Sequence, residues 1–246
     1  MKPVLLVIAH GSRDPRHAAT VHALVRRVRS LRPDVRVETG FLDFNIPSVQ
    51  GVLESLAAEG VRDVVALPLL LTRAFHAKAD IPAVLRDAPR QLRIRQAEVL
   101  GPSPLLLSAL ERRLYEAGLT PADKSSTGVV LASAGSTDPE AIAVIADIAR
   151  EWRHTGWCAV RPAFASAALP RTEDAVRELR ALGCAKVAVA PYVLAPGFLP
   201  DRIARGAAEA DVLAEVLGPA PEVARVLLRR YDAAAARGLL RLTVSA

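Results

Sequence analysis

The sequence predicts an α/β fold built as two tandem domains, each with a four-stranded parallel sheet and helices on both faces. Apolar runs of strand length alternate with segments whose apolar residues recur at helical spacing. Glycine and proline separate these segments, as expected at turns. The same order of elements occurs twice along the chain. Such an alternation favours right-handed strand-helix-strand units, which produce parallel sheets covered on both sides.

Short motifs of the first half return in the second. Gly-Ser-x-Asp-Pro occurs at residues 11–15 and 135–139, an apolar run ends in proline at 64–68 and 187–191, and Glu-Val-Leu-Gly-Pro occurs at 98–102 and 215–219. The shifts are 124, 123 and 117 residues, and a nearly constant shift is typical of a duplicated fold. We place the first domain at 1–119, the second at 128–246, and the linker in the polar, turn-rich segment 120–127.

Four strands and four helices are predicted in the first half. Asp14 or Ser12 can cap the first helix, and Pro15 suits its first turn. Pro47 opens the second helix and Gly60 ends it. The predicted strands are 3–9, 35–42, 64–71 and 94–99. The first, third and fourth helices are predicted at 15–31, 81–86 and 104–116.

The second half repeats this order. Its helices begin after four prolines that punctuate the chain. The predicted strands are 129–134, 159–164, 186–194 and 212–216, and the helices follow Pro139, Pro170, Pro200 and Pro219.

The composition of the chain indicates which classes of binding partner to expect. The net charge is +6 with only 4% aromatic residues, which favours an anionic small molecule over nucleic acid. No apolar run approaches the roughly 18 residues of a membrane span, and the first apolar run is too short for a signal peptide. Cys158 and Cys184 have no metal-site spacing and are expected to be buried thiols. We therefore expect a cytoplasmic protein that binds neither membrane nor nucleic acid.

Three ionisable residues follow predicted strands of the first half. His10 directly follows the first strand, Asp43 the second, and His76 lies in the loop after the third. Ligands of open α/β sheets bind beyond the carboxyl ends of the strands, so these side chains are expected at one edge. The second half has Ala134 where the first has His10. Because duplication for packing alone gives no reason to lose histidine from one copy, we predict a functional site in the first half.

The residue types at this edge suit metal chemistry. Imidazole binds a divalent metal when neutral and takes up a proton near neutral pH. Asp43 can fix a histidine tautomer or join the metal directly. Two histidines and one carboxylate are fewer than the four protein ligands of a structural zinc site, which indicates a metal in transit or in catalysis. The remaining histidines, His17, His22 and His154, are expected on the solvated surface.

Three segments resemble the sirohydrochlorin chelatases, the class II chelatases of cobalamin and siroheme biosynthesis. They are Ala-His-Gly-Ser at 9–12, Gly-Phe-Leu-Asp at 40–43, and His-Ala-Lys-Ala-Asp-Ile-Pro at 76–82. The resemblance covers nearly the whole chain and implies two tandem chelatase-like domains with the site in the first. This chain has Asp43 where the family commonly has glutamate.

The resemblance also implies a reaction. Co²⁺ or Fe²⁺, as substrate rather than as a permanently bound cofactor, would be inserted into sirohydrochlorin, an anionic tetrapyrrole. His10 and His76 would hold the metal and, with Asp43, help remove the pyrrole protons. Candidates for binding the substrate are Ser12, Arg13, Arg73 and Lys78.

Two other functions are compatible with the same residues. One is a carrier that binds a tetrapyrrole or a metal without turnover. The other is a phosphoryl-transfer enzyme with His10 as nucleophile, although histidine phosphatases place arginine directly before that histidine and this chain has Ala9.

Overall fold

The structure, a computed structural model, describes residues 2–73 and 80–243. It contains eight described strands and eight described α-helices. The strands are β1 (Val4–Ala9), β2 (Val37–Phe41), β3 (Asp63–Pro68), β4 (Arg93–Gln96), β5 (Thr127–Ser133), β6 (Ala159–Phe164), β7 (Lys186–Tyr192) and β8 (Val212–Leu213). The helices are α1 (Pro15–Leu31), α2 (Val49–Ala58), α3 (Ile81–Arg86), α4 (Pro104–Glu116), α5 (Pro139–Arg153), α6 (Thr172–Ala181), α7 (Phe198–Gly206) and α8 (Pro221–Thr243).

Contacts divide the chain into two compact units. The first unit comprises Met1–Gly101 together with Pro221–Ala246, and the second unit is Pro102–Ala220. Each contains a four-stranded parallel sheet, in the order β2-β1-β3-β4 in the first unit and β6-β5-β7-β8 in the second. The predicted α/β fold class is confirmed.

In the first unit, strand β1 is an interior strand of the sheet, and every residue of its sequence is apolar. All six of its side chains are buried, as expected of a parallel strand covered on both faces. Alternate side chains point to opposite faces. One face packs with α2 and α3 in a cluster that includes Leu6, Ile8, Ala66, Leu53, Leu56 and Ile81. Helices α1 and α8 pack together, and α8 also contacts β3 and β4.

Helix α1 begins where its sequence predicts. The Asp14 side chain caps it by accepting a hydrogen bond from the Arg16 amide, and Pro15 occupies the first turn. Its buried stripe is Val21, Leu24, Val25 and Val28. The cap therefore fixes the start of α1 at Pro15, one short loop after the carboxyl end of β1.

Helix α8 is held to the first unit by specific hydrogen bonds. The Tyr231 hydroxyl donates to the Pro3 carbonyl at 2.7 Å, and Arg230 donates to the Leu100 carbonyl at 3.1 Å. Arg32 forms an ion pair with Asp232 at 3.0 Å. The last helix in the sequence is thus part of the unit that contains the first strand.

The second unit repeats this arrangement with α4 in the corresponding place. Helix α4 packs against β7, while α5 packs against β5 and β6. The opposite face contacts α6 and α7 through Val176, Leu179 and Ile203. The compact units differ from the predicted halves, 1–119 and 128–246, in the place of the closing helix, which is the last helix of each half. The closing helix of the first half, α4, belongs to the second unit, and that of the second half, α8, belongs to the first unit.

Several predicted strands are longer than the observed ones. Strand β3 ends at Pro68 rather than at residue 71, β4 at Gln96 rather than 99, and β8 at Leu213 rather than 216. Leu69, Val99 and Leu217 lie beyond these ends and are nevertheless buried. The apolar sequence correctly indicated that these residues are buried. A buried residue need not pair in the sheet, so the predicted strands were too long.

The predicted linker contains a short 3-10 helix, Pro121–Ser126. Thr120 and Asp123 form a reciprocal cap at its start. In the part of the chain that the structure describes, no helix is long and apolar enough to span a lipid bilayer.

Candidate metal centre

His10 and Asp43 lie side by side at the carboxyl edge of the first sheet. The Leu42 amide donates to the Ala9 carbonyl at 3.0 Å, and the Asp43 amide donates to the His10 carbonyl at 2.9 Å. These bonds continue the β1–β2 ladder past the strand ends, so the two side chains emerge together. His10 Nδ1 lies 4.0 Å from Asp43 Oδ2, which is beyond hydrogen-bonding distance. The predicted proximity of His10 and Asp43 is confirmed.

Both side chains are open to solvent. The exposed fraction of the side chain is 40% for His10 and 61% for Asp43. The Nδ1 atom of His10 is itself shielded from solvent, so the exposed part of the ring lies away from it. An imidazole edge and a carboxylate at this edge are therefore accessible to a small ligand.

Gly11 permits the close approach of the two strand ends. Its φ is +94°, a left-handed conformation that side-chain-bearing residues rarely adopt. A Cβ atom at this position would lie 3.0 Å from the carbonyl carbon of Asp43 and closer still to its oxygen. Ser12 adds a second connection, because its amide donates to Asn45 Oδ1 at 2.8 Å.

Ser12 has a clear structural role. Its hydroxyl oxygen accepts a hydrogen bond from the Asp14 amide at 3.0 Å, and Asp14 in turn caps α1. A role for Ser12 in binding substrate stays a prediction.

The second unit has the same loop. Gly135 has a φ of +93°, and a Cβ atom there would lie 2.9 Å from the carbonyl carbon of Ser166. Ser136 accepts a hydrogen bond from the Asp138 amide at 3.0 Å, as Ser12 does from Asp14. The Gly-Ser-x-Asp-Pro motif therefore builds a backbone turn in both units, and its glycine and serine do not by themselves mark a site.

The two loops differ in the side chains that they present. The Ser166 amide donates to the Ala134 carbonyl at 3.0 Å, which makes this pair the equivalent of Asp43 and His10. Phe44 and Ala167 also correspond, and both have a φ of 61°. The first unit thus has an imidazole, a carboxylate and an aromatic ring where the second has a methyl, a hydroxyl and a methyl: His10 for Ala134, Asp43 for Ser166, and Phe44 for Ala167.

Phe44 was not singled out in the sequence, although it directly follows Asp43. Its side chain is 59% exposed, and its ring lies edge-on to His10 with centroids 6.4 Å apart. The Arg13 guanidinium stands 5.3 Å from the centre of the same ring. Ile46 nearby is 87% exposed. An apolar surface with a cation at its margin therefore adjoins the imidazole.

His17 is also closer to the site than expected. It lies in the first turn of α1 and is half-buried, so its predicted place on the solvated surface is wrong. Burial lowers the pKa of its imidazole, and a positive charge on nearby His10 lowers it further, while Asp14 opposes both. The first turn of α1 begins at the carboxyl edge of the sheet. The position of His17 in this turn was the signal in the sequence that could have placed it near the site.

The other two histidines lie outside this cluster. His22 is half-buried, with its ring 5.7 Å from that of Phe41, so it is less exposed than predicted. His154 is exposed at the end of α5, as predicted.

The loop after β3 is described only in part. Arg73 is exposed, with its guanidinium 3.7 Å from the Glu98 carboxylate. His76 and Lys78 lie outside the described residues, so the predicted pairing of His10 with His76 stays a prediction. Within residues 2–73 and 80–243, no group of three or more His, Cys, Asp or Glu side chains is placed to hold a metal ion.

Comparison with known proteins identifies one family. The family model CbiX matches residues 4–117 and again residues 128–234. Sirohydrochlorin cobaltochelatase of Priestia megaterium is 32% identical over 210 residues, which are 82% of this chain and 67% of that protein. Sirohydrochlorin ferrochelatase of Bacillus subtilis (strain 168) is 27% identical over 248 residues, which are 96% of this chain and 93% of that protein.

A solved structure shows the same architecture. SirB from Bacillus subtilis with Fe³⁺ superimposes with a TM-score of 0.83, at 26% identity and covering 97% of each chain. A second SirB structure, from the subspecies spizizenii in complex with cobalt, has a TM-score of 0.78. The likeness extends over both units.

Proposed function

The chain belongs to the CbiX family, and on that premise we propose that it is a sirohydrochlorin chelatase that inserts Co²⁺ or Fe²⁺ into sirohydrochlorin. The observation that carries this proposal is the difference between the two matching loops. At equivalent backbone positions only the first unit presents an imidazole beside a carboxylate, His10 and Asp43, 4.0 Å apart. The metal is a substrate of the reaction. The cytoplasmic location expected from the sequence is part of the same proposal.

His10 supplies a nitrogen ligand for the incoming ion. A neutral imidazole binds Co²⁺ or Fe²⁺ through its lone pair, and such ligands bind borderline ions firmly but still exchange them. We assign the second nitrogen ligand to His76 on sequence grounds. Two imidazoles leave other coordination positions of the metal ion open. Open positions are needed if the ion is to be transferred to a macrocycle.

Insertion also releases protons from the macrocycle. Two pyrrole nitrogens must lose their protons before they can bind the metal, and a nearby base accelerates such a step. Asp43 is solvent-accessible and adjacent to His10, so it can accept a proton or bind the cation. We propose that His10, His76 and Asp43 share these two tasks.

The substrate surface follows from the residues around His10. The exposed ring of Phe44 and the side chain of Ile46 provide an apolar contact for the flat macrocycle. Arg13, held over the Phe44 ring, is placed to pair with a peripheral carboxylate. We extend the same proposal to Arg73 and, from sequence, to Lys78, while Ser12 contributes through the turn that it stabilises.

A turnover assay tests this function. A catalytic amount of protein is mixed anaerobically with sirohydrochlorin and Co²⁺ or Fe²⁺, and the visible spectrum is followed. An enzyme forms many product molecules per protein molecule, whereas a carrier changes the spectrum only stoichiometrically. The ratio of kcat/KM for the two metals then identifies the preferred ion, which imidazole and carboxylate ligands do not select by themselves.

Single substitutions test which residues take part in the reaction. We expect His10→Ala to lower kcat/KM at least 100-fold and to weaken Co²⁺ binding, with the fold unchanged because His10 is not part of the core. The matched control is His154→Ala, which removes an exposed histidine at the end of α5 and should leave turnover unchanged. Wild-type turnover in His10→Ala would refute the assignment. His76→Ala should resemble His10→Ala, while Asp43→Asn should have a smaller effect.

A further inference from the structure

The two cysteines of the chain lie together in the second unit. Cys184 Sγ donates a hydrogen bond to Cys158 Sγ across 3.7 Å. Cys158 directly precedes β6, and Cys184 lies two residues before β7. These strands flank β5 on either side, so the sulfur pair spans the amino end of the central strand. Proximity of residues 26 positions apart in the sequence is a product of the fold.

The backbone on both sides of the pair is fixed by hydrogen bonds. The Cys158 amide donates to the Lys124 carbonyl at 2.9 Å, and the Ala185 amide donates to the Ser126 carbonyl at 2.9 Å. Gly128 of β5 leaves room for the sulfur, because a Cβ atom there would lie only 2.8 Å from Cys184 Sγ. The thiols are therefore held next to each other by ordered structure rather than by flexible loops.

The two thiols differ in accessibility. Cys158 is exposed, contrary to its predicted burial, whereas Cys184 is 6% exposed. Burial raises the pKa of the Cys184 thiol, and its hydrogen bond to Cys158 raises it further. An oxidant can thus reach Cys158 first, with Cys184 behind it.

We propose that Cys158 and Cys184 are a modification site that forms a reversible intramolecular disulfide on contact with hydrogen peroxide. The Cys158 thiolate attacks one oxygen of hydrogen peroxide, the O–O bond breaks, and a sulfenic acid and hydroxide form; the hydroxide takes up the proton that the thiol released and leaves as water. Cys184 Sγ then loses its proton and attacks the Cys158 sulfur, the S–O bond breaks, and a second water leaves. The two sulfurs together lose two electrons, which reduce the peroxide.

The geometry requires little movement. A disulfide has an S–S distance of about 2.05 Å, so the sulfurs must approach by about 1.7 Å from their present 3.7 Å. Rotation of the exposed Cys158 side chain can supply this shift. The bond would tie the starts of β6 and β7 together and restrict the unfolded chain, so the oxidised protein should melt at a higher temperature.

Intact-protein mass spectrometry tests the proposal on the full chain. After treatment with a small excess of hydrogen peroxide, we expect a mass decrease of about 2 Da, loss of both titratable thiols, a higher Tm, and full reversal by dithiothreitol. Cys184→Ser should instead accumulate oxygen adducts on Cys158, because the resolving thiol is gone. Cys158→Ser should leave the buried Cys184 unmodified at the same dose.

Other outcomes would overturn the proposal. Oxygen adducts on wild-type Cys158 without the 2 Da decrease would show that the pair does not close. Disulfide-linked dimers as the main product would show that Cys158 reacts with another molecule before it reacts with Cys184. The wild-type measurements decide the matter even if a variant folds poorly.

Discussion

Replacing Gly11 with alanine should lower turnover about 100-fold. The residue has a φ of +94°, and a Cβ atom there would lie 3.0 Å from the carbonyl carbon of Asp43 and closer to its oxygen. Alanine can be accommodated only if the ends of β1 and β2 separate, by roughly 1.5 Å to bring the Asp43 carbonyl oxygen to normal van der Waals contact with the Cβ atom. Because His10 and Asp43 are carried by these two ends, their separation would increase from 4.0 Å.

The expected loss follows from this displacement. A misplacement of about 1 Å in a reacting group can cost about 100-fold in rate, equivalent to about 2.7 kcal/mol. The positive φ adds about 1–2 kcal/mol of backbone strain to the folded state. At about 2–4 °C per kcal/mol for a chain of this size, the strain alone lowers Tm by several degrees.

The second unit supplies a matched control. Gly135 has a φ of +93° and the same close approach, here to Ser166, but its loop has no imidazole. Gly135→Ala should therefore lower Tm by a similar amount and keep near-wild-type turnover when both variants are assayed well below their melting temperatures. Equal loss of turnover in both variants, or full turnover in Gly11→Ala despite a lower Tm, would refute the reasoning.

Three further predictions concern the aromatic contact at Phe44, the half-buried His17, and the helices α4 and α8 that lie in the unit of the other half. Phe44→Ala should raise KM for sirohydrochlorin several-fold with a smaller change in kcat, because it removes a binding surface and no reacting group; an unchanged KM would contradict this. Because the pKa of His17 is lowered in the folded state, stability should fall as pH decreases below about 6.5, where unfolded His17 takes up a proton, and His17→Gln should flatten that part of the Tm-against-pH curve. A chain joining residues 1–101 to 221–243 should unfold at a higher urea concentration than residues 1–119, since the former retains α8 and its hydrogen bonds; equal midpoints would favour the predicted halves as folding units.

The sequence predicted part of the arrangement at the candidate site. Strand ends are marked by apolar runs, so the placement of His10 and Asp43 at one edge could be inferred without coordinates. The loss of histidine at Ala134 indicated which half to choose. Phe44 and His17 were missed, because whether an aromatic ring is exposed, or a helical histidine is half-buried, depends on neighbours distant in sequence.

The repeated Gly-Ser-x-Asp-Pro motif could indicate either a backbone turn shared by both units or a functional site, and the sequence alone did not distinguish the two. Gly11 and Ser12 recur as Gly135 and Ser136, and in both units they build the same turn. Their recurrence therefore reflects backbone geometry. The side chains that differ at equivalent positions are those to which we assign the chemistry.

The amino-acid sequence by itself determined the fold class, the order of strands and helices, the duplication and the edge of the sheet at which we propose the site, because these follow from local periodicity and from turn residues. Only the tertiary structure decided which sheet each closing helix covers, since α4 and α8 have similar apolar stripes and the choice depends on contacts such as that of Tyr231 with Pro3. It also decided that Cys158 and Cys184 meet, because two residues on separate strands become neighbours only when the sheet between them has formed.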